Sequence, residues 1–228
     1  MEEVSPLSIQ RDLDFSGWCW IEFASDVDII RILSTLGPLI PSWKGGAYHQ
    51  DLVPLTREKA PFASMSSITG TGSQPRHTDA AFFPCPPRYI ALQCVEVGER
   101  PCPTHLWSLD WLRLRDDRPN ILTDITWIAS GGGHAPFYCS AMDIQSEDMR
   151  VRFDPICMRP ISRSGDTVDA TQKMLDQYSY KVDFNWKPGA LLIINNWRCL
   201  HARGYGAAGA PSRRLRRWYV GACNGLVA

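Results

Sequence analysis

The chain has no excess of charge of either sign. Its 228 residues hold 24 basic and 24 acidic side chains, so nothing draws it as a whole to a phosphate backbone, and nucleic-acid binding by bulk charge is excluded. No apolar run approaches the roughly 18 residues that span a bilayer, which excludes a membrane helix. The opening Met1-Glu2-Glu3-Val4-Ser5 lacks the basic and then apolar character of a secretory signal, and a cytoplasmic location is expected. The eight cysteines (Cys19, Cys85, Cys94, Cys102, Cys139, Cys157, Cys199 and Cys223) include no Cys-x-x-Cys pair. That argues against a zinc site built from paired ligands, and against a disulfide framework in a chain too long to need one. Most are expected as small buried hydrophobes. No repeat, low-complexity tract or Pro/Gly/Ser-rich linker divides the sequence, so residues 1–228 read as one domain. A glycine-rich phosphate loop is also missing.

What is present is core material. A hydrophobic fraction of 44% with nine tryptophans suits a chain of this length, which buries roughly 70% of its unfolded surface. Trp18 to Phe23 reads as a short strand, and Ser25 as the cap of a helix carrying Val27, Ile29, Ile30, Leu33 and Leu36 until Gly37-Pro38 stops it. From Trp43 to Gly72 periodicity is weak, which predicts loop with short strands. Tyr89–Glu96, the stretch around Trp127-Ile128, Val151–Asp154 and Ala190–Ile194 are short apolar runs suited to strands. Two further helices are predicted, from Ser108 to about Arg115 and from Thr167 to about Val182, the second with Met174, Leu175, Tyr178 and Val182 at helical spacing. Many strands with few helices, without regular strand–helix alternation, predict a mainly β (α+β) barrel or sandwich with flanking helices.

Three places carry chemistry. In His77-Thr78-Asp79 an extended backbone projects residues two apart to one side, so imidazole and carboxylate are able to grip one metal ion; the alternative is a surface histidine beside a solvated aspartate. His201 follows the apolar run 190–194 and is placed just past the end of a buried strand, either as a third ligand or as a core histidine bonded to backbone. Two histidines and one carboxylate on one face of an octahedral ion form the facial set of non-heme Fe(II) oxygenases. In Arg213–Val220, read as a strand, Arg213, Leu215 and Arg217 share one face while Arg214, Arg216 and Trp218 share the other. An inward guanidinium needs an anion and suits a carboxylate. A solvated basic edge strand is the other reading, expected for Arg214 and Arg216.

These residues resemble the Fe(II)/2-oxoglutarate dioxygenases of the taurine dioxygenase and clavaminate synthase-like group. The resemblance runs from about Ser64 to Val220 and rests on ordered pieces: His77-x-Asp79, Pro86-Pro87-x-Tyr89, a threonine some 25 residues on, the Pro188-Gly189 strand leading to His201, and the arginine cluster beyond it. It implies a double-stranded β-helix (jelly-roll, cupin-like) core and His77, Asp79 and His201 as iron ligands. It implies Thr104 and Arg213 at the distal carboxylate of 2-oxoglutarate, with Arg217 facing the same cavity. The cofactors implied are Fe(II), 2-oxoglutarate as co-substrate and O2. The reaction implied is oxidative decarboxylation to succinate and CO2, coupled to hydroxylation of a small-molecule substrate. Halogenation is not implied, since Asp79 fills the position that halogenases leave open. The chain departs from the family in the Gly98–Thr104 stretch, where a Gly-Gly-x-Thr segment is common, and in the short spacing between Asp79 and His201, which implies a trimmed lid.

Pocket segments are expected at Trp43–His49, at Ser64–Thr69, and at the Gly131-Gly132-Gly133-His134 turn with Phe137 and Tyr138, a candidate flap. His49, His105 and His134 have no metal role in this reading. Two other readings use the same ligands: a non-catalytic metal- or ligand-binding β-barrel derived from the family, and zinc-dependent hydrolysis. The latter leaves the inward arginines unexplained.

Overall fold

The apolar run that ends at Ile194 is unbroken because both of its faces are covered. In the computed structural model, which describes residues 5–42, 46–61, 64–110, 120–145, 148–161, 167–177 and 179–221, it forms β12 (Leu191–Asn195) inside a six-stranded antiparallel sheet. The strand order is β1 (Trp18–Ile21), β12, β4 (Tyr89–Glu96), β14 (Arg214–Val220) and then β2 (Leu39–Ile40), with β3 (His49–Leu52) also pairing along β14. Leu191 and Ile193 join Tyr89, Ala91, Trp218 and Val220 under two helices, α1 (Pro6–Phe15) and α2 (Asp26–Leu36). Leu192 and Ile194 point the other way, with Ile90, Leu92, Leu215 and Tyr219, toward Leu106 and Phe184 of a second sheet. Alternation of side chains across a strand thus feeds two cores at once.

The second sheet has the order β11 (Tyr180–Phe184), β5 (Thr104–Ser108), β13 (Cys199–Arg203). A third, β10 (Met158–Pro160), β6 (Trp127–Gly131), β7 (His134–Cys139), and the hairpin β8 (Met142–Gln145) with β9 (Asp148–Val151) complete the β structure. They enclose a third core with Trp127, Phe153, Met158, Leu175 and Leu200. The short helices α3 (Met65–Thr69) and α4 (Asn120–Thr123), and the longer α5 (Thr167–Gln177), lie between strands. Among the described residues, no helix is long and apolar enough to cross a membrane.

Several expectations need correction. The helix α1 is unpredicted: only Ile9 and Leu13 of it are buried, too thin a stripe for periodicity to reveal. Its sequence signal is the Ser5 cap, whose side chain accepts from the Ser8 N–H, with Pro6 next. In α2 the Ser25 cap is observed, but Val27 and Ile30 are exposed, and the buried stripe is Ile29, Ile32 and Leu33. Ser108 ends β5, where its ladder with Cys199 and Tyr180 wins over helix formation; the backbone is helical at Asp110, and residues 111–115 of that predicted helix lie outside the described residues. The helix predicted to reach Val182 stops at Gln177, with Tyr178 outside the described residues. Val182 instead pairs with Leu106 in β11. Of the strand predicted over 151–154, only Val151 is in a ladder. Six described cysteines are free, with Cys19, Cys94, Cys102 and Cys199 buried. Cys85 is disulfide-bonded.

Candidate active site

His77 and His201 are held face to face by backbone. The His77 N–H donates to the His201 carbonyl at 3.0 Å, and the His201 N–H returns to the His77 carbonyl at 3.1 Å. This hydrogen-bonded antiparallel pair places both side chains on one side of the ladder, with ring centroids 4.5 Å apart. His201 is therefore the middle residue of β13 rather than a residue past a strand end. The chain turns within Asn196–Arg198 and immediately re-enters a ladder, now with β5.

Asp79 arrives two residues after His77, fixed by Asn196. Its N–H donates to Asn196 Oδ1 at 2.9 Å, and Asn196 Nδ2 donates to the carbonyls of Asp79 and Pro87, each at 3.0 Å. The side chains of His77, Asp79 and His201 are all buried, and their ligand atoms lie within 4.8 Å of one another. His201 Nε2 stands 3.7 Å from Asp79 Oδ2, and His77 Nε2 stands 3.9 Å from Oδ1. His77 Nδ1 is 3.0 Å from the Pro75 carbonyl. A carbonyl only accepts, so the proton sits on Nδ1 and Nε2 keeps its lone pair for a ligand.

The electrostatics suit a cation at the centre. Burial pushes the Asp79 carboxyl up, but Arg217 and the two imidazoles outweigh it and hold the group below its ordinary value. Burial, with His77 and Arg217 adding to it against the pull of Asp79, pushes His201 down to about 3; a neutral imidazole is the ligand form. Asp79 Oδ2 is buried without a hydrogen-bond partner. An orphaned carboxylate oxygen between two imidazoles is the donor set that a divalent metal completes, and these residues fit one.

A cavity of about 390 Å³ opens from this centre between the six-stranded sheet and the three-stranded sheet β11–β5–β13. Thr104, His201 and Arg203 line it from the three-stranded sheet, and Leu92, Leu215, Arg217 and Tyr219 from the six-stranded one, with Arg213 just ahead of β14. Arg213 is 4% exposed, and its Nε has no partner. No carboxylate pairs with it among the described residues, and burial lowers its pKa. Gly98 permits the close fit, since a Cβ there would sit 3.0 Å from Arg213 Cβ. Thr104 Oγ1 accepts from Trp186 Nε1 at 3.0 Å, which leaves its own O–H to donate. Arg217 faces the cavity as predicted, but donates to Asp79 Oδ1 at 2.8 Å and to Gln50 Oε1 at 2.6 Å.

The parity read for β14 holds. Arg214 and Arg216 face outward, although β14 is an interior strand between β4 and β2/β3, and Arg216 pairs with Asp51 at 2.8 Å rather than with solvent alone. Of the expected pocket segments, Ser64, Met65 and Ser66 line the cavity, as does Gly132; residues 43–45 lie outside the described residues. Tyr138 is exposed, His49 sits near Trp218, and His105 pairs with Asp183 away from the centre. Sequence reasoning missed Asn196, Gln50, Phe82 and Asp154. Asn196 had a usable signal, a polar pair directly after a buried run.

Residues 149–219 match the family described as Taurine catabolism dioxygenase TauD, TfdA family. No curated protein matches the chain. Among solved structures, an asparagine oxygenase in complex with Fe(II), 2S,3S-3-hydroxyasparagine and succinate superposes with a TM-score of 0.71 at 16% identity, over 94% of this chain and 77% of that one. PvcB from Pseudomonas aeruginosa gives 0.67 at 16%, over 96% and 80%. The non-heme iron oxygenase OrfP, in complex with (3S)-hydroxy-L-arginine, gives 0.67 at 19%, over 95% and 79%. At these identities the likeness is one of fold.

Proposed function

We propose that this chain, which has the fold of non-heme iron oxygenases and carries the TauD/TfdA pattern over residues 149–219, is an Fe(II)- and 2-oxoglutarate-dependent oxygenase of a small-molecule metabolite. His77, Asp79 and His201 would hold the iron, and Arg213 with Thr104 the distal carboxylate of 2-oxoglutarate. The two facing sheets are read as the halves of a double-stranded β-helix in a single domain spanning 1–228. One observation carries the proposal. The orphaned Asp79 Oδ2 and the unpaired Arg213 guanidinium, one calling for a cation and the other for an anion, line the same buried cavity. A 2-oxo dicarboxylate bridges the two needs.

When bound, iron with 2-oxoglutarate and O2 supplies the oxidising power, yielding succinate and CO2. The chain's own residues position and exclude. Arg213 orients the co-substrate by its far end, and Phe82 and Leu92 wall the cavity from water. The co-substrate takes part of the cavity, which leaves room for a metabolite rather than a polymer.

Asp154 narrows the class of that metabolite. It lines the cavity at 8% exposure and accepts the Ile156 N–H at 2.7 Å, and no basic side chain pairs with it among the described residues. A buried carboxylate of this kind calls for a cationic group on the ligand. That supports an amine-bearing substrate of amino-acid size, in keeping with the 3-hydroxyasparagine and (3S)-hydroxy-L-arginine bound in the structural relatives.

Anaerobic addition of Fe(II) and 2-oxoglutarate is expected to give a weak visible charge-transfer band, abolished in His77→Ala and weakened in Arg213→Ala, with succinate released on admitting O2. A band without succinate across a panel of amino acids would favour a binding module. Hydrolysis supported by zinc and indifferent to 2-oxoglutarate would overturn the reading altogether.

A further inference from the structure

One wall of the cavity is fastened to both sheets and presents apolar side chains that no core uses. One end of this wall is β3, held along β14 by ladder pairs that include Leu52 with Leu215. The other end is fixed by Arg203. Its Nη2 donates to the carbonyls of Gly70 at 2.5 Å and Gly72 at 2.8 Å, and its own carbonyl accepts the Gln74 N–H at 2.9 Å. Arg203 lies two residues beyond His201 in β13, on the same face, so the strand that carries His201 also sets where this wall stands. Val53, Leu55 and Met65 line the cavity from the wall, and Ile156 lines it from beside Asp154. None of these four packs into any of the three cores, and Val53 is 40% exposed. Asp51, the one charged side chain lining the cavity between residues 46 and 74 among those described, is already paired with Arg216.

Apolar side chains that face a cavity instead of a core are stabilised only when a ligand takes them out of water. The Asp154 carboxylate borders this surface, since it accepts the Ile156 N–H at 2.7 Å. We infer that the substrate carries an aliphatic arm beside its amine, with the amine on Asp154 and the arm against Val53, Leu55, Met65 and Ile156. The inference rests on the reading of this cavity as an oxygenase site that takes an amine. A carboxamide or guanidinium laid on the same four side chains would lose its water without gaining a hydrogen bond. The unbranched thioether of Met65 adapts to the shape of an aliphatic chain.

A homologous series separates the arm from the amine. Protein saturated with Mn(II) and 2-oxoglutarate, kept free of O2, is titrated calorimetrically with L-2-aminobutyrate, L-norvaline and L-norleucine. Each added methylene is expected to tighten binding about fourfold. L-Norleucine should bind roughly tenfold more tightly than L-glutamine, whose arm is of similar length but ends in a carboxamide. Hexanoate, which is norleucine without its amine, should bind at least about tenfold more weakly. Leu55→Ala and Met65→Ala should each flatten the series and leave Mn(II) and 2-oxoglutarate affinities within about twofold. Asp154→Asn should weaken all three members alike and keep the slope. A flat series in the wild type, no binding by any member, or tighter binding of L-glutamine or L-arginine than of L-norleucine overturns the inference alone while Mn(II) and 2-oxoglutarate still bind. Hexanoate bound as tightly as norleucine overturns the place given to the amine, and an unchanged slope in both alanine variants overturns the place given to the arm. If a variant does not fold, the wild-type series still decides. A wild-type chain that takes up neither Mn(II) nor 2-oxoglutarate overturns the parent reading, and this one with it.

Discussion

At the scale of residues, burial decides the protonation of His201 at the candidate site. His201 is held down to about 3 from an ordinary 6.5, so the unfolded chain binds a proton there that the folded, metal-free chain refuses. The folded state gains from this above pH 6.5 and loses the gain as pH falls toward the folded value. Asp79 is also depressed, but from 3.8, and its loss comes only below that value. Between about pH 6.5 and 4 the slope at this site is therefore set by His201, up to about 1.4 kcal/mol per pH unit. Denaturant unfolding of the metal-free protein across that range should show the slope, and His201→Gln should flatten it. Parallel pH profiles for the two proteins would refute the assignment.

At the scale of elements, the β6–β7 turn shows how glycine sets the shape of a wall. Gly132 has φ +58° and lines the cavity, and a Cβ there would lie 2.1 Å from a ring carbon of Phe82. Gly133 has φ +79° with nothing near its missing Cβ. Alanine at Gly133 should cost only the left-handed strain, about 1 kcal/mol. Alanine at Gly132 should cost that plus overpacking against Phe82, a further 1–3 kcal/mol or so. Chemical denaturation of both variants checks this, and equal losses would show that the hairpin yields without resistance. The backbone beneath Phe82 has little slack, because Arg152 donates to the carbonyls of Ala81, Phe83 and Pro84.

Elements also show where a linear reading fails. The strand β4 was predicted with its observed ends because turn residues bound it on both sides. β13 was not, because Cys199–Arg203 is buried throughout and shows no alternation, and because the Asn196–Arg198 turn that introduces it is too short to announce a new strand. Val182, at helical spacing from Leu175, went to a strand once its ladder with Leu106 was available, a case of tertiary pairing overriding local period.

At the scale of the whole molecule, the site joins two sheets. His201 and Thr104 come from the three-stranded sheet, Arg217 and Tyr219 from the six-stranded one, and the 77–79 segment crosses between them. A metal and a dicarboxylate bound there cross-link the halves and favour only the folded state. At 100 times its dissociation constant, each ligand should add about 2.7 kcal/mol. Mn(II) with 2-oxoglutarate is thus expected to raise the melting temperature of the wild type but not of His77→Ala, and an equal rise in both would place the ligands elsewhere.

The residue types able to bind a metal, their two-residue spacing at 77 and 79, the parity that turns Arg213, Leu215 and Arg217 to one face, and the mixed β-rich class were all decided by the sequence, since each depends on side-chain chemistry or on local backbone period. Which donors meet was decided by the tertiary structure. His201 reaches His77 only through ladder pairing between segments more than a hundred residues apart, and Arg217 meets Gln50 only because β3 and β14 pair in one register. Distances between remote segments are set by packing and hydrogen bonding across sheets, and no local pattern encodes them.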